Sequence, residues 1–333
     1  MTTLSTSALT LADWAKRLDP DGKVPTIVEL LSQTNEILTD MLFVEGNLPT
    51  GHRTTVRTGL PAVAWRLLNQ GGTPSKSTTA QIDEHAGMLE AWSEIDVKLA
   101  RLNGNSAQFR LSEAQAFIEA MNQEMASTLF YGNQGLAPEE FTGLSARYSA
   151  ISGATNASNV ISGGSSDTDN TSIWLLVWGE QGVTGIFPRG SKAGLEHNDY
   201  GEVTVEVTAG VAGQRMRALQ ERWTWDAGIA LKDWRQVVRI PNIDVSNLVA
   251  KSSAADLIDL MIKALYRTRL NMGRPVFYMN RTVAQMLDIQ RRDDIISGGG
   301  LRWETVDGKR VGQFQGVPVR ICDALLQTES LVS

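Results

Sequence analysis

Three histidines, one cysteine and a few clustered carboxylates are the residues of this 333-residue chain that could do chemistry. A metal centre needs donors converging at helical or hairpin spacing. His52, His85 and His197 lie far apart in sequence, and none has a second ligand at such spacing. Asp167-Thr168-Asp169-Asn170 opens like a calcium loop, but the glycine and the glutamate that such a loop needs further on are missing. The run from Gly185 to Lys192 has the glycines and the base of a phosphate loop. Its serine and lysine are reversed, and Gly194 and His197-Asn198-Asp199 continue it as a loop where a helix is required. Cys322 lies in an apolar strand context, Val319 to Ala324, and is expected to be a buried, inert thiol. No Gly-x-Ser-x-Gly elbow occurs. Glu139-Glu140 supplies carboxylates, but a glycosidase needs two at a set separation, and solvated surface charge is the expectation here. No catalytic, cofactor or metal site is therefore expected, and the chain is not expected to be an enzyme.

The elements that would have to position a site carry more information than the reactive groups. Hydrophobic residues make up 42% and charged residues 20%, which suits a globular body. With a net charge of -6, no free basic surface for wrapping nucleic acid is evident. One cysteine rules out an intrachain disulfide and fits synthesis in a reducing cytosol. No window approaches the ~18 consecutive apolar residues of a membrane span. Nine tryptophans suit cores and interfaces alike.

Residues 1–45 hold short apolar patches, such as Asp13-Trp14-Ala15 and Ile27-Val28-Glu29-Leu30-Leu31, broken by Pro20, Gly22 and Pro25. They need another surface to cover them. Val56, Val63, Trp65 and Leu67 alternate with polar or small residues over 53–68, and Ile95, Val97 and Leu99 alternate over 94–99. Both predict strands. The polar stretch 69–79 between them predicts a long two-stranded arm with a flexible tip. Leu111, Ala114, Ile118, Met121, Met125 and Leu129 predict a helix over 111–131, capped by Ser112 with Gln115 and stopped by a left-handed Gly132. A polar loop is expected over 149–172, then strands at Ile173–Trp178, Val183–Phe187, Val203–Val207 and Ile229–Ile240, the last stopped by Pro241. A helix over 254–271 capped by Ser253 with Asp256, a strand at Val276–Met279, a helix over 282–290, a Gly298-Gly299-Gly300 loop or hinge and a strand at Gly316–Cys322 complete an α+β plan.

This order of elements resembles the major capsid proteins of tailed phages with the Hong Kong 97 type fold. The local sequence is similar to capsid proteins of short-tailed phages of the epsilon-fifteen and Bordetella-phage kind. The residues that carry the likeness are Leu129-Phe130-Tyr131-Gly132-Asn133, Pro138-Glu139-Glu140-Phe141-Thr142-Gly143-Leu144, the run Gly185 to Leu195, and Trp225-Asp226-Ala227-Gly228-Ile229. Asp233-Trp234-Arg235, Tyr278-Met279-Asn280-Arg281 and Gly316-Val317-Pro318-Val319-Arg320 continue it. The resemblance implies an N-terminal arm (1–45), an E-loop region (46–110), a spine helix of the peripheral domain (111–135), and a peripheral and axial body (136–333). It implies hexamers and pentamers of the chain closing into an icosahedral head around double-stranded DNA, with portal, scaffolding and cement proteins as further partners, and no membrane. Trp14, Arg53, Arg57, Trp65, Arg66, Lys76 and Trp92 are the candidate inter-subunit contacts, the arginines facing acidic groups on neighbours. Lys76 invites comparison with relatives that cross-link through an E-loop lysine, but no partner asparagine is identifiable and a solvated lysine is expected. The alternatives are an encapsulin-like compartment and, from another class, a carbohydrate hydrolase on a β-rich scaffold. The protein is expected in the virion after synthesis in the bacterial cytoplasm.

Overall fold

The computed structural model describes residues 32–102, 106–206, 215–293, 301–306 and 309–333. Trp14 and the other patches before residue 32, Val207, and the Gly298–Gly300 hinge lie outside the described residues. In chain order the helices are α1 (Ile37–Asp40), α2 (Val97–Arg101), α3 (Ser106–Tyr131), α4 (Leu144–Arg147), α5 (Val245–Ala250), α6 (Leu257–Arg267) and α7 (Arg281–Asp293). The strands are β1 (Phe43–Glu45), β2 (Gly51–Gly59), β3 (Thr78–His85), β4 (Gly87–Asp96), β5 (Asn170–Trp178), β6 (Val183–Phe187), β7 (Glu196–Glu206), β8 (Arg215–Leu231), β9 (Val237–Asp244), β10 (Arg274–Met279), β11 (Leu301–Val306), β12 (Lys309–Phe314) and β13 (Val317–Ile321).

β5 is the centre of the body. It pairs antiparallel with β10 and β9 and is buried along its whole length. A strand covered on both faces reads as a continuous apolar run, which is why Ile173 to Trp178 lacks alternation. Its faces serve different cores. Trp174, Leu176 and Trp178 pack with Leu129, Phe130, Tyr148 and Tyr278, whereas Ile173 and Leu175 pack with Leu257 and Met261 of α6 and Val283 and Leu287 of α7. A small third cluster, Ile95, Ala100 and Phe109, lies where α3 begins. α3, about 39 Å long at 1.5 Å per residue, therefore runs from this cluster to the first core, and Phe117 stacks on Trp223 of β8 along the way at 5.1 Å.

Several expectations change at this level. α3 starts at Ser106, so Ser112 is interior and caps nothing. Only the second half of the expected stripe is buried, at Met121, Met125 and Leu129. Leu111 (62% exposed) and Ile118 point outward, because the first half packs through Phe109 and Phe117. Leu99 and Val97 belong to α2, not to a strand. Asp96 accepts a hydrogen bond from the Lys98 amide at 2.7 Å and starts the helix there. Of the expected pair Ser253 and Asp256, it is Asp256 that caps α6, accepting from the Asp259 amide at 3.0 Å. Pro241 does not stop β9. Ile240 faces Ile173 and Ile243 faces Thr171, so Pro241 and Asn242 form a bulge opposite a single residue, where a missing amide is tolerated. The expected loop over 149–172 is partly buried, at Asn159, Val160 and Ile161.

Gly132 does end α3, but for another reason than a left-handed turn. A Cβ there would stand 2.5 Å from the Phe141 carbonyl and 2.7 Å from that of Thr128. Gly143 approaches as closely, its virtual Cβ 2.6 Å from the Thr128 oxygen, and its amide donates to the Gly132 carbonyl at 2.8 Å. The junction is thus two backbones in contact. Because only backbone atoms block the added methyl, Gly143→Ala is expected to lower unfolding free energy by about 1–3 kcal/mol, measured by urea titration. A neutral substitution would show that the junction opens freely.

Candidate assembly interface

β2 and β3 pair only with each other among the described residues, in one register from Gly51 opposite His85 to Arg57 opposite Thr79 and then, past a one-residue shift, with Gly59 opposite Thr78. This is the expected arm, with its second strand at Thr78–His85 in place of 94–99. β4 instead joins the body sheet against β8. The arm base is fixed by charge. Glu84 is buried, and Arg147 of α4 donates to it at 2.6 Å and to the Thr142 carbonyl at 2.9 Å. The arm is thereby tied to the Gly132–Gly143 junction.

Residues 60–77, beyond the paired strands, form no helix or strand. The alternation at Val63, Trp65 and Leu67 is real, but both sides of it face solvent: Leu60, Val63, Trp65, Leu67 and Leu68 are all largely exposed. The Ser75 hydroxyl donates to the Ala62 carbonyl at 2.7 Å and closes the tip on itself. Five large apolar side chains on an extension without cover of its own form a surface that burial against another protein would stabilise.

Arg57, Arg66 and Lys76 are exposed and have no ion-pair partner among the described residues. Arg53 is engaged within the arm: its Nε donates to Asp83 Oδ1 at 2.6 Å, and this bond holds the Asp83 carboxyl below its ordinary value. Trp92 lies on β4 in the body and not on the arm. It stacks on Tyr200 at 5.8 Å with the Arg222 guanidinium over its ring, and remains partly exposed.

Several of the groups weighed for chemistry have structural surroundings. His197 contacts Glu221 at 3.1 Å and stacks on Trp223. His52 lies on β2 opposite Glu84, and burial lowers its pKa. Cys322 is buried, and burial pushes its thiol up to about 12. Asp167, Asp169 and Asp244 cluster, but Asp244 caps α5 at the Asn247 amide (2.7 Å) and Asp169 accepts from the Ser246 amide (3.0 Å). The stretch Pro188–Lys192 is a turn, with the Ser191 hydroxyl bonded to the Pro188 carbonyl at 2.9 Å, and β7 follows it.

Where residue 32 enters the body, the chain is clamped by Asp323, whose carboxylate accepts from the Thr34 amide at 3.0 Å and from Arg281 at 2.7 Å. Burial alone would raise this carboxyl, but the bonds from Arg281 and Thr34 outweigh it and hold its pKa below 3.8. A depressed folded pKa stabilises above the unfolded value and loses that contribution as pH falls through the folded one. Asp323→Asn is therefore expected to cost about 1 kcal/mol at neutral pH and almost nothing once the pH is well below that carboxyl range. Equal losses at pH 7 and in strong acid would sink this account.

A sequence profile described as Major capsid protein GP7 matches residues 19–333. The chain belongs to this family of phage major capsid proteins. A chain in the structure of bacteriophage Epsilon15 is similar at TM-score 0.78 and 32% identity, covering 100% of this chain and 99% of that one. The capsid of bacteriophage JBD30 is matched at TM-score 0.48 and 10% identity, over 89% of this chain and 92% of that one. The capsid of a native GTA particle is matched at 0.47 and 10%, over 68% and 95%. No curated protein matches the sequence. The major capsid protein has the Hong Kong 97 type fold and is a structural protein, not an enzyme. The hydrolase alternative falls with that assignment. No helix among the described residues of the capsid protein is long and apolar enough to cross a membrane.

Proposed function

We propose that many copies of this major capsid protein associate as hexamers and pentamers into an icosahedral head enclosing double-stranded DNA. The observation that carries this is the arm, a two-stranded extension whose apolar tip has no cover among the described residues. Two strands alone are marginal in water, and a neighbouring subunit supplies both support and burial. In this reading 1–45 is the N-terminal arm, 46–110 the E-loop region, 111–135 the spine helix and 136–333 the peripheral and axial body. Trp14, Arg53, Arg57, Trp65, Arg66, Lys76 and Trp92 are contacts between subunits. The net charge of -6 keeps packed DNA from adhering to the wall. Portal, scaffolding and cement proteins complete the particle, and synthesis takes place in the bacterial cytoplasm. Electron microscopy of the purified protein under assembly conditions is expected to show closed shells, and a stable monodisperse monomer there would overturn the proposal.

A further inference from the structure

The net charge of -6 hides a local excess of the opposite sign. Residues 260–287 contain Lys263, Arg267, Arg269, Arg274 and Arg281 and no carboxylate. Lys263 is paired with Asp259 and Arg281 with Asp323, whereas the other three have no ion-pair partner among the described residues. The fold gathers these three at one end of the body. α6 ends at Arg267, whose guanidinium donates to the Ser158 carbonyl. The Thr268 hydroxyl donates to the Arg235 carbonyl at 2.9 Å and ties the end of α6 to the connection between β8 and β9. The short 3₁₀ turn Leu270–Met272 then lays Gly273 on the end of β5, where a Cβ would stand 2.3 Å from the Trp178 carbonyl oxygen. Arg274 follows opposite Trp178 and donates to the Asp40 carbonyl at 3.3 Å. Lys232 joins the same end, its amide donating to the Gly182 carbonyl of the β5–β6 turn at 3.1 Å.

Carbonyl partners hold Arg267 and Arg274 in place without cancelling their charge. Three carboxylates stand nearby. Asp233 is taken by Arg235, which donates to it at 2.9 and 2.8 Å. The Asp40 carboxylate is engaged by Tyr278 and Arg320. Glu180 is exposed on the β5–β6 turn. Burial alone would raise the Asp233 carboxyl, but the bonds and charge of Arg235, and then the charge of Arg269, bring it below its ordinary value, which places Arg269 at this end as well. Lys232, Arg267, Arg269 and Arg274 are thus set against Glu180 alone, and Tyr266 stands 86% exposed beside them.

We propose that this ridge binds the phosphate backbone of double-stranded DNA without reading its sequence. The inference rests on the shell reading above and deepens it by naming the surface that touches the enclosed DNA. Guanidinium forks match phosphate oxygens, and a tyrosine hydroxyl adds a further donor. The acidic remainder of the chain does not prevent this. At 0.1 M salt the Debye length is about 10 Å, so a phosphate at the ridge meets the arginines and little of the charge beyond them. With only about three phosphates neutralised, each contact is weak, which suits a wall that must let its DNA go.

Fluorescence anisotropy of a short labelled DNA duplex of random sequence, titrated with the unassembled full chain, tests this. Binding is expected, and tripling the salt should weaken it about 20-fold, the release of ~0.9 counterion for each of about three phosphates. Arg267→Gln, Arg269→Gln and Arg274→Gln together should abolish it with the urea midpoint unchanged, and the corresponding three lysine substitutions should keep most of it. A duplex that the parent chain ignores, binding that salt leaves unchanged, or a triple-glutamine chain that binds as tightly as the parent overturns the proposal. Poly-glutamate that displaces the duplex at a lower concentration of charge assigns the ridge to an acidic protein surface, and the DNA reading falls. The assay needs no shell. Chains that bind the duplex and never assemble sink the shell reading alone, and shells built by a chain blind to the duplex sink this inference alone.

Discussion

Glu329→Ala is expected to destabilise the folded capsid protein by about 3–5 kcal/mol, read from urea unfolding at neutral pH. Glu329 and Arg239 are each 3% exposed, with Arg239 Nη2 donating to Glu329 Oε2 at 2.8 Å. Arg239 also donates to the Tyr148 carbonyl at 2.9 Å and to the Ser172 hydroxyl at 3.2 Å. Tyr131, the last residue of α3, donates to the other Glu329 oxygen at 2.5 Å. Burial, and then the charge of Glu329, push the Tyr131 phenol above its ordinary value, so it remains a donor. The carboxylate thus joins the end of the long helix, β5 and β9 to the C-terminal strap. Without it the guanidinium stays buried with no counter-charge, and that is the expensive state. Glu329→Leu combined with Arg239→Met should recover most of the loss, because an apolar pair of similar size needs no solvation. A single-variant loss under ~1 kcal/mol would mean that water reaches the pair. A double variant as unstable as Glu329→Ala would mean that shape, not charge, matters there.

That ion network left no trace in the sequence because its members, Tyr131, Ser172, Arg239 and Glu329, are spread over nearly 200 residues. The body strands were legible where burial leaves a composition signature, as in β5, or alternation, as in β7. Thr78–His85 was missed because its side chains are nearly all exposed, so polar residues occupy both faces and no period survives. The tip misled in the opposite sense: Val63, Trp65 and Leu67 alternate as a half-buried strand does, yet nothing among the described residues covers them. At Ile95–Leu99 the apolar period of two ran straight through a strand-to-helix change, and the signal that marked it was the capping carboxylate of Asp96. Gly132 was placed correctly as a stop, but the cause, a backbone contact with Phe141, is tertiary and invisible to local pattern. The family likeness reached the fold class because its motifs sit at such contacts: the Gly132–Gly143 junction, the turn after β6, and the β10 end where Asn280 Nδ2 donates to the Leu325 carbonyl at 2.7 Å.

A capsid protein with Leu60, Val63, Trp65, Leu67 and Leu68 all replaced by serine should unfold at the same urea concentration as the parent and yet fail to assemble. None of the five packs in a core cluster, so removing them takes nothing from intrachain burial. A surface change of this kind alters stability by no more than about 0.5 kcal/mol per site. Their value to a neighbour is different. Full burial of one such side chain is worth about 1.5–3 kcal/mol, so even partial burial of five withdraws ~4 kcal/mol from each arm contact. That weakens a pairwise association about 1,000-fold. A closed shell repeats the contact at every subunit, so the concentration needed for assembly should rise beyond any practical range. Light scattering against protein concentration, run beside the urea titration, separates the two effects. Shells forming at the parental concentration would show that the tip is a bystander, and a lowered unfolding midpoint would show that the tip packs on its own chain. Only the pairing of intact folding with lost assembly fits a side-chain cluster whose partner lies on another molecule.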